Sequence, residues 1–296
     1  MTIFKGTATA LITPFVNDKV DFVSLENLVN NQLSSGVNAL IVNGTTGEPT
    51  TMTHDERTAV AKFVLQLVNK KIPVILGAGS NNTYTAIEYA QEAEALGADA
   101  VLVVTPYYNK TTQKGLIAHY KAIADSINIP IILYNVPGRT GVNILPETVK
   151  ALCGYKNIAA IKEASGNINQ IMEIKRLCGD DIDLYCGDDG IVFPCMAVGG
   201  IGAISVTSNL IPKFFSDMTR FLLNGDYEKA KKMQFSVLPL INALFCEVNP
   251  IPVKTAAYWM DLILSDYMRL PMIKMEKTAV LAEAMGEFGL NFKVKE

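Results

Sequence analysis

Histidine is nearly absent from this 296-residue chain: His54 and His119 are the only two, which excludes a His-rich metal centre. The five cysteines, Cys153, Cys178, Cys186, Cys195 and Cys246, are odd in number and contain no C-x-x-C pair. A disulfide scaffold and a zinc site are both poor readings of such a set. Long basic runs are missing too, and the formal net charge is -3. A nucleic-acid partner would need a basic stripe; the one local cluster, Lys229, Lys231 and Lys232, reads as the solvated face of an amphipathic helix. No apolar stretch approaches the roughly 20 residues that cross a bilayer. Met1 to Phe15 has neither a basic start nor a sustained apolar run, and Pro14 interrupts it, so no secretory signal is read there. These absences lead to the expectation of a reduced, soluble, cytoplasmic protein without metal, membrane or nucleic-acid partners.

What is present is apolar surface: hydrophobic residues make up 49% and charged residues 19%, ample for a large core. Short apolar runs recur at Ala8 to Ile12, Ala39 to Val42, Val74 to Gly77, Ala100 to Val104, Ile131 to Tyr134, Ile158 to Lys162, Asp183 to Cys186 and Gly202 to Val206. They are nearly continuous in Val, Ile, Leu and Ala, as strands buried on both faces are. Helical segments separate them, the alternation that builds a parallel sheet. Thr53 with Glu56 has the pattern of a capping box opening a helix through Asn69, and Pro146 opens another. Gly36, Gly97 and Gly179 stand where helices should stop.

An open doubly wound sheet would carry G-x-G-x-x-G after its first strand. Here that strand runs into Thr13-Pro14-Phe15, so a closed (β/α)8 TIM barrel is the better fit. Residues 1–210 are expected to hold the barrel strands and most of its helices. Residues 211–296 are expected to hold the last barrel helix and a C-terminal helical region, with helices around Asp226 to Cys246, Pro250 to Leu264 and Met272 to Phe288 packed on the barrel.

Active sites of such barrels gather at the C-terminal ends of the strands. The sixth run ends in Lys162, which shares a strand face with Ile158 and Ala160. If that face points inward, the amine sits over apolar packing, where desolvation disfavours an ammonium ion and favours the neutral nucleophile that imine formation requires. An exposed loop lysine, or one paired with Glu163, is the simpler reading of any single strand-end lysine. Tyr134 ends the adjacent fifth run at equivalent height and could shuttle protons; alone it is equally a core residue. Arg139 follows on the loop, where a planar guanidinium suits a carboxylate or simply faces solvent. The second run leads into Asn43-Gly44-Thr45-Thr46-Gly47-Glu48, either an ordinary glycine-rich turn or a cradle for a small anion. Tyr107 and Tyr108 follow the fourth run and fit a pocket wall or a subunit contact. Gly199, Gly200 and Gly202 precede the eighth strand, at the end opposite the active face, and make a poor phosphate site.

Five strings occur in order: G-T-T-G-E (Gly44 to Glu48), T-P-Y-Y-N (Thr105 to Asn109), Y-N-V-P-G-R-T-G (Tyr134 to Gly141), I-K-E-A-S-G (Ile161 to Gly166) and N-P-I-P-V-K (Asn249 to Lys254). In these the chain closely resembles the dihydrodipicolinate synthase family, within the N-acetylneuraminate lyase superfamily of Schiff-base aldolases. The resemblance runs nearly end to end.

It implies a TIM barrel with a C-terminal helical region, a homotetramer built as a dimer of dimers, and condensation of pyruvate with aspartate semialdehyde toward diaminopimelate and lysine, with no metal or organic cofactor. By matching position it implies that Lys162 forms the Schiff base and Tyr134 donates and accepts protons. Thr45 would link Tyr134 to a Tyr108 reaching in from the neighbouring subunit. Thr46 would hold the pyruvate carboxylate and Arg139 the carboxylate of the semialdehyde, while Gly187 and Ile204 would line the pyruvate pocket.

The lysine-inhibited pattern of the family is only partly kept. His54, Asn81 and Tyr107 match its effector site, but Arg57 and Thr85 stand where it has a histidine and a glutamate, which implies weak or absent inhibition by lysine. The alternatives are an N-acetylneuraminate lyase or 2-keto-3-deoxy sugar-acid aldolase, which share the lysine and tyrosine. More remote are a phosphate-sugar isomerase on the same barrel and a non-catalytic protein that keeps the fold.

Overall fold

The computed structural model describes residues 2–295. Eight parallel strands close into a barrel: β1 (Gly6–Ala10), β4 (Ala39–Val42), β5 (Val74–Gly77), β6 (Ala100–Val104), β7 (Ile131–Asn135), β8 (Ile158–Glu163), β9 (Asp183–Cys186) and β10 (Gly202–Ser205). A two-stranded hairpin, β2 (Phe15–Val16) and β3 (Lys19–Val20), follows the first strand. Each strand pairs with its sequence neighbour, and β1 pairs with both β4 and β10 to complete the ring. The runs lack polar alternation because the strands are covered on both faces, outside by helices and inside by each other. Gly202 allows the closing seam: a Cβ there would stand 2.3 Å from the Gly6 carbonyl oxygen.

The first strand begins two residues before the apolar run, at Gly6 rather than Ala8. Thr7 and Thr9 explain the displacement. Both are fully buried, with Thr7 Oγ1 2.9 Å from Thr219 Oγ1 and Thr9 Oγ1 donating to Gln32 Oε1 at 2.6 Å. Hydroxyls that find partners sit in a core as apolar groups do.

Helix signals translate directly. Thr53 and Glu56 form a reciprocal capping box on helix His54–Val68, Pro146 opens helix Pro146–Leu152, and Gly36, Gly97 and Gly179 all adopt positive φ past helix ends. The C-terminal region differs in extent. The helix expected to reach Leu264 is Ile251–Trp259, because Asp261 turns left-handed at φ 58°. The last helix is Thr278–Glu287, leaving an irregular segment before it. Among the described residues, no helix is long and apolar enough to cross a membrane.

That irregular segment is tied back to the barrel by Arg269. Its guanidinium donates to Glu56 Oε1 at 2.6 Å and Oε2 at 2.7 Å, to Asp18 Oδ1 at 2.8 Å and to the Thr51 carbonyl at 2.9 Å. Hydrogen bonding to Arg269 holds the Glu56 carboxyl down to about 2. A carboxyl depressed by folding adds stability that is complete above its ordinary value near 4.5 and is lost as pH falls through about 2. Glu56→Gln should therefore melt at lower temperature than wild type at neutral pH, with the gap between the two closing as melts are repeated down that range.

Candidate active site

Strands β7 and β8 run in register, with Tyr134 beside Lys162 and Asn135 beside Glu163. Alternation sends the two pairs to opposite faces. The outer pair is a hydrogen-bonded clamp. Glu163, fully buried, accepts from Asn135 Nδ2 at 2.8 Å, from Gln170 Nε2 on the covering helix at 3.0 Å and from the Ser165 N–H at 2.7 Å. Glu163 is thus committed to the helix side and is not the partner of Lys162.

The inner pair faces the barrel interior. Lys162 is 5% exposed, and its Nζ lies 4.3 Å from the centroid of the Tyr134 ring. Gly187, just beyond β9, makes room for it: a Cβ there would meet Lys162 Cε at 2.8 Å and Cγ at 2.9 Å. Ile204 is buried in β10 opposite Ala8. Asp189 joins the loops after β9 and β10, accepting from the Val206 and Thr207 N–H groups at 3.0 and 2.8 Å and from Thr207 Oγ1 at 2.7 Å. Burial pushes the Asp189 carboxyl up, and these donors pull it back.

After β4 the chain makes two successive 3-10 turns, Thr45–Gly47 and Pro49–Thr51, joined by Glu48 in the left-handed region at φ 55°. Glu48 is anchored from far away in sequence. Its Oε1 accepts from Lys254 Nζ at 2.6 Å, and both side chains are fully buried. Lys254 Nζ also donates to the Tyr267 carbonyl at 2.8 Å and lies 4.5 Å above the Phe15 ring, which carries Arg269 at the same distance. Burial drives both members toward neutrality, raising the Glu48 carboxyl and lowering the Lys254 ammonium, while their mutual attraction opposes it. Removing one partner of such a pair costs about 3–5 kcal/mol, because the other is left buried and uncompensated. The turn gains a second tether at Thr46, where Oγ1 accepts from Asn249 Nδ2 at 2.9 Å. The Asn249 carbonyl in turn accepts from Arg139 Nη2 at 3.0 Å. Arg139, read from sequence as a loop residue, lies in the helical turn Pro137–Thr140 and is exposed.

A cavity of about 610 Å3 opens beyond the C-terminal ends of β4 to β7, walled in part by Thr45, Tyr134, Arg139, Tyr107, His54 and Arg57. Lys162 is not on its wall and reaches it through Tyr134. The wall therefore offers a phenol, the Thr45 hydroxyl and a guanidinium, with the Lys162 amine behind the phenol ring and Thr46 buried in the turn. Tyr108 stands apart, 90% exposed with φ 69°. Of the remaining sequence candidates, His54 is exposed and 3.6 Å from Glu92, while the Asn81 carbonyl accepts from Asn109 Nδ2 at 2.9 Å. Arg57 lies 4.0 Å above the Tyr89 ring, and Thr85 is half-buried. The second histidine, His119, is in the core beside Thr83 at 3.0 Å, and burial lowers it to about 4.

Sequence reasoning assigned no role to Glu48, Asn249, Lys254 or the Asn135–Glu163 clamp. All lie inside the five quoted strings; what was missing was which string touches which.

The profile of the Dihydrodipicolinate synthetase family matches residues 3–284. The chain belongs to this family. A 4-hydroxy-tetrahydrodipicolinate synthase of Clostridium novyi (strain NT) is 53% identical over 279 residues, 94% of this chain and 93% of that protein. The solved dihydrodipicolinate synthase of Thermotoga maritima aligns with a TM-score of 0.95 at 44% identity, covering 97% of this chain and 99% of that one. A structure described as a monomeric dihydrodipicolinate synthase variant gives a TM-score of 0.95 at 44% identity, with 98% of each chain covered. The match to the dihydrodipicolinate synthetase family takes in every residue of the site, from Asn43 to Lys254.

The contact between Gly187 and Lys162 is directly testable. Gly187→Ala would also meet Ala164 Cβ at 2.8 Å, so it should lower the melting temperature by overpacking. If Lys162 is a nucleophile, the displaced amine should be trapped on a ketone by borohydride on the order of a hundredfold more slowly, at a temperature where both proteins stay folded.

Proposed function

We propose that the chain condenses pyruvate with L-aspartate 4-semialdehyde to give 4-hydroxy-tetrahydrodipicolinate, the committed step toward diaminopimelate and lysine, by Schiff-base chemistry at Lys162. The observation that carries this reading is the in-register pair Tyr134 and Lys162, with the amine 4.3 Å from the phenol ring and Gly187 leaving space beside it. In this reading the Lys162 amine adds to the pyruvate ketone, and Tyr134 moves the protons that let the carbinolamine lose water. The protonated imine draws electrons from the neighbouring methyl, which loses a proton to give the enamine. That carbon attacks the aldehyde; the amino group of the second substrate then closes the ring and displaces Lys162. Thr46 holds the pyruvate carboxylate, Arg139 receives that of the semialdehyde, and Gly187 and Ile204 line the pyruvate pocket.

The same reading takes the chain as a homotetramer, a dimer of dimers, in a cytoplasmic setting; the high exposure of Tyr108 fits its entry into the neighbouring site beside Thr45. The Schiff-base reading is tested by incubating the protein with pyruvate and borohydride and mapping the adduct by mass spectrometry. Lys162 should carry it; an active preparation left unlabelled there would overturn the reading. Tyr134→Phe should lower turnover about 10²–10⁴-fold. Comparing aspartate semialdehyde with N-acetylmannosamine as acceptor separates this activity from that of an N-acetylneuraminate lyase.

His54, Asn81 and Tyr107 form a vestigial effector site in the same reading. The Arg57 guanidinium on the cavity wall repels a cationic effector, and Thr85 supplies no carboxylate to hold one. Steady-state assays should show weak or no inhibition by lysine at low millimolar concentration, and strong inhibition there would contradict this.

A further inference from the structure

The N-P-I-P-V-K segment touches the hydroxyl turn at two points, Asn249 on Thr46 and Lys254 on Glu48. We propose that Asn249 is a positioning residue for the pyruvate half-reaction, occupying a lone pair of the Thr46 hydroxyl so that its proton is kept for the incoming carboxylate. The inference rests on the reading of Thr46 as the carboxylate-binding hydroxyl.

A threonine hydroxyl has one proton to give and lone pairs to accept with. The Asn249 amide donates to Thr46 Oγ1 at 2.9 Å, and no other side-chain hydrogen bond engages that oxygen among the described residues. One lone pair is thereby occupied, and the hydroxyl proton is left for an incoming acceptor. Thr46 is 3% exposed and Asn249 6%, so water competes little for either group. The backbone of Asn249 has a second role, since its carbonyl accepts from Arg139 at 3.0 Å. Side chain and main chain of one residue thus serve the two carboxylate subsites separately. The buried Lys254–Glu48 pair keeps this segment and the turn at fixed separation.

The separation of roles makes the test selective. Asn249→Ala removes the amide and keeps the carbonyl. It should lower kcat/KM for pyruvate about tenfold, the scale of one lost hydrogen bond, and leave kcat/KM for aspartate semialdehyde within about twofold. Asn249→Asp preserves volume, so its result stands even if the alanine variant folds poorly. It should depress kcat/KM for pyruvate further than alanine does, because a carboxylate accepts the Thr46 proton and repels the substrate anion. The rate of borohydride trapping at Lys162 at low pyruvate should fall in parallel. Equal losses for both substrates, or no loss for pyruvate, would overturn the proposal while leaving the Schiff-base reading intact. A wild-type protein that fails to label at Lys162 would remove that reading and this inference with it.

Discussion

Two dipeptides on adjacent strands meet residue for residue, and the chemistry of the mouth depends on that register. Tyr134-Asn135 lies against Lys162-Glu163, with tyrosine and lysine turned inward and asparagine and glutamate outward. A slip of one residue would send the amine to the helix layer and a carboxylate into the barrel. The outer pair guards against the slip, because Glu163 is fully buried and accepts from Asn135, Gln170 and Ser165. Moving it would strand a buried carboxylate without donors, a larger penalty than any single apolar contact could offset. The inner pair is therefore placed by polar bonds it does not itself make.

A second constraint works across the length of the chain. Glu48 and Lys254 are fully buried, and the attraction between two desolvated charges only partly offsets the cost of taking them out of water. Such a pair is a weak source of net stability and a strong source of geometry, since either member alone is unfavourable. The ring of Phe15 extends the arrangement by lying between Lys254 and Arg269, and Arg269 clamps Glu56 and Asp18. The irregular segment near Tyr267 is thereby joined to the first turns of the barrel mouth. The C-terminal region consequently does more than cover the barrel: it sets the position of the turn that carries Thr45 and Thr46.

Much of the architecture was legible from local pattern. The eight apolar runs, the Thr53–Glu56 capping box and the helix-ending glycines all depend on neighbours in sequence, and each reappears in the structure. The misplacements came where a residue's partner is remote. Thr7 and Thr9 look polar in sequence, yet Thr219 and Gln32 make them core residues. The helix starting at Ile251 ends at Trp259, and Asp261 just beyond it turns left-handed, which the apolar periodicity does not announce. Lys162 was a lysine at a strand end with several readings; the commitment of Glu163 to the helix side removed one of them.

The sequence by itself determined the order and spacing of the elements and the family strings, because alternation and capping are written within a few residues of where they act. Only the tertiary structure decided which strings meet. Asn249 on Thr46, Arg139 on the Asn249 carbonyl and Lys254 on Glu48 join positions more than a hundred residues apart. Those contacts follow from ring closure and from the packing of the N-P-I-P-V-K segment against the turn after β4, and no local pattern encodes the distance between two residues that only closure brings together. The structure likewise decided that the strand-end lysine is buried against a phenol ring, with Gly187 leaving it room.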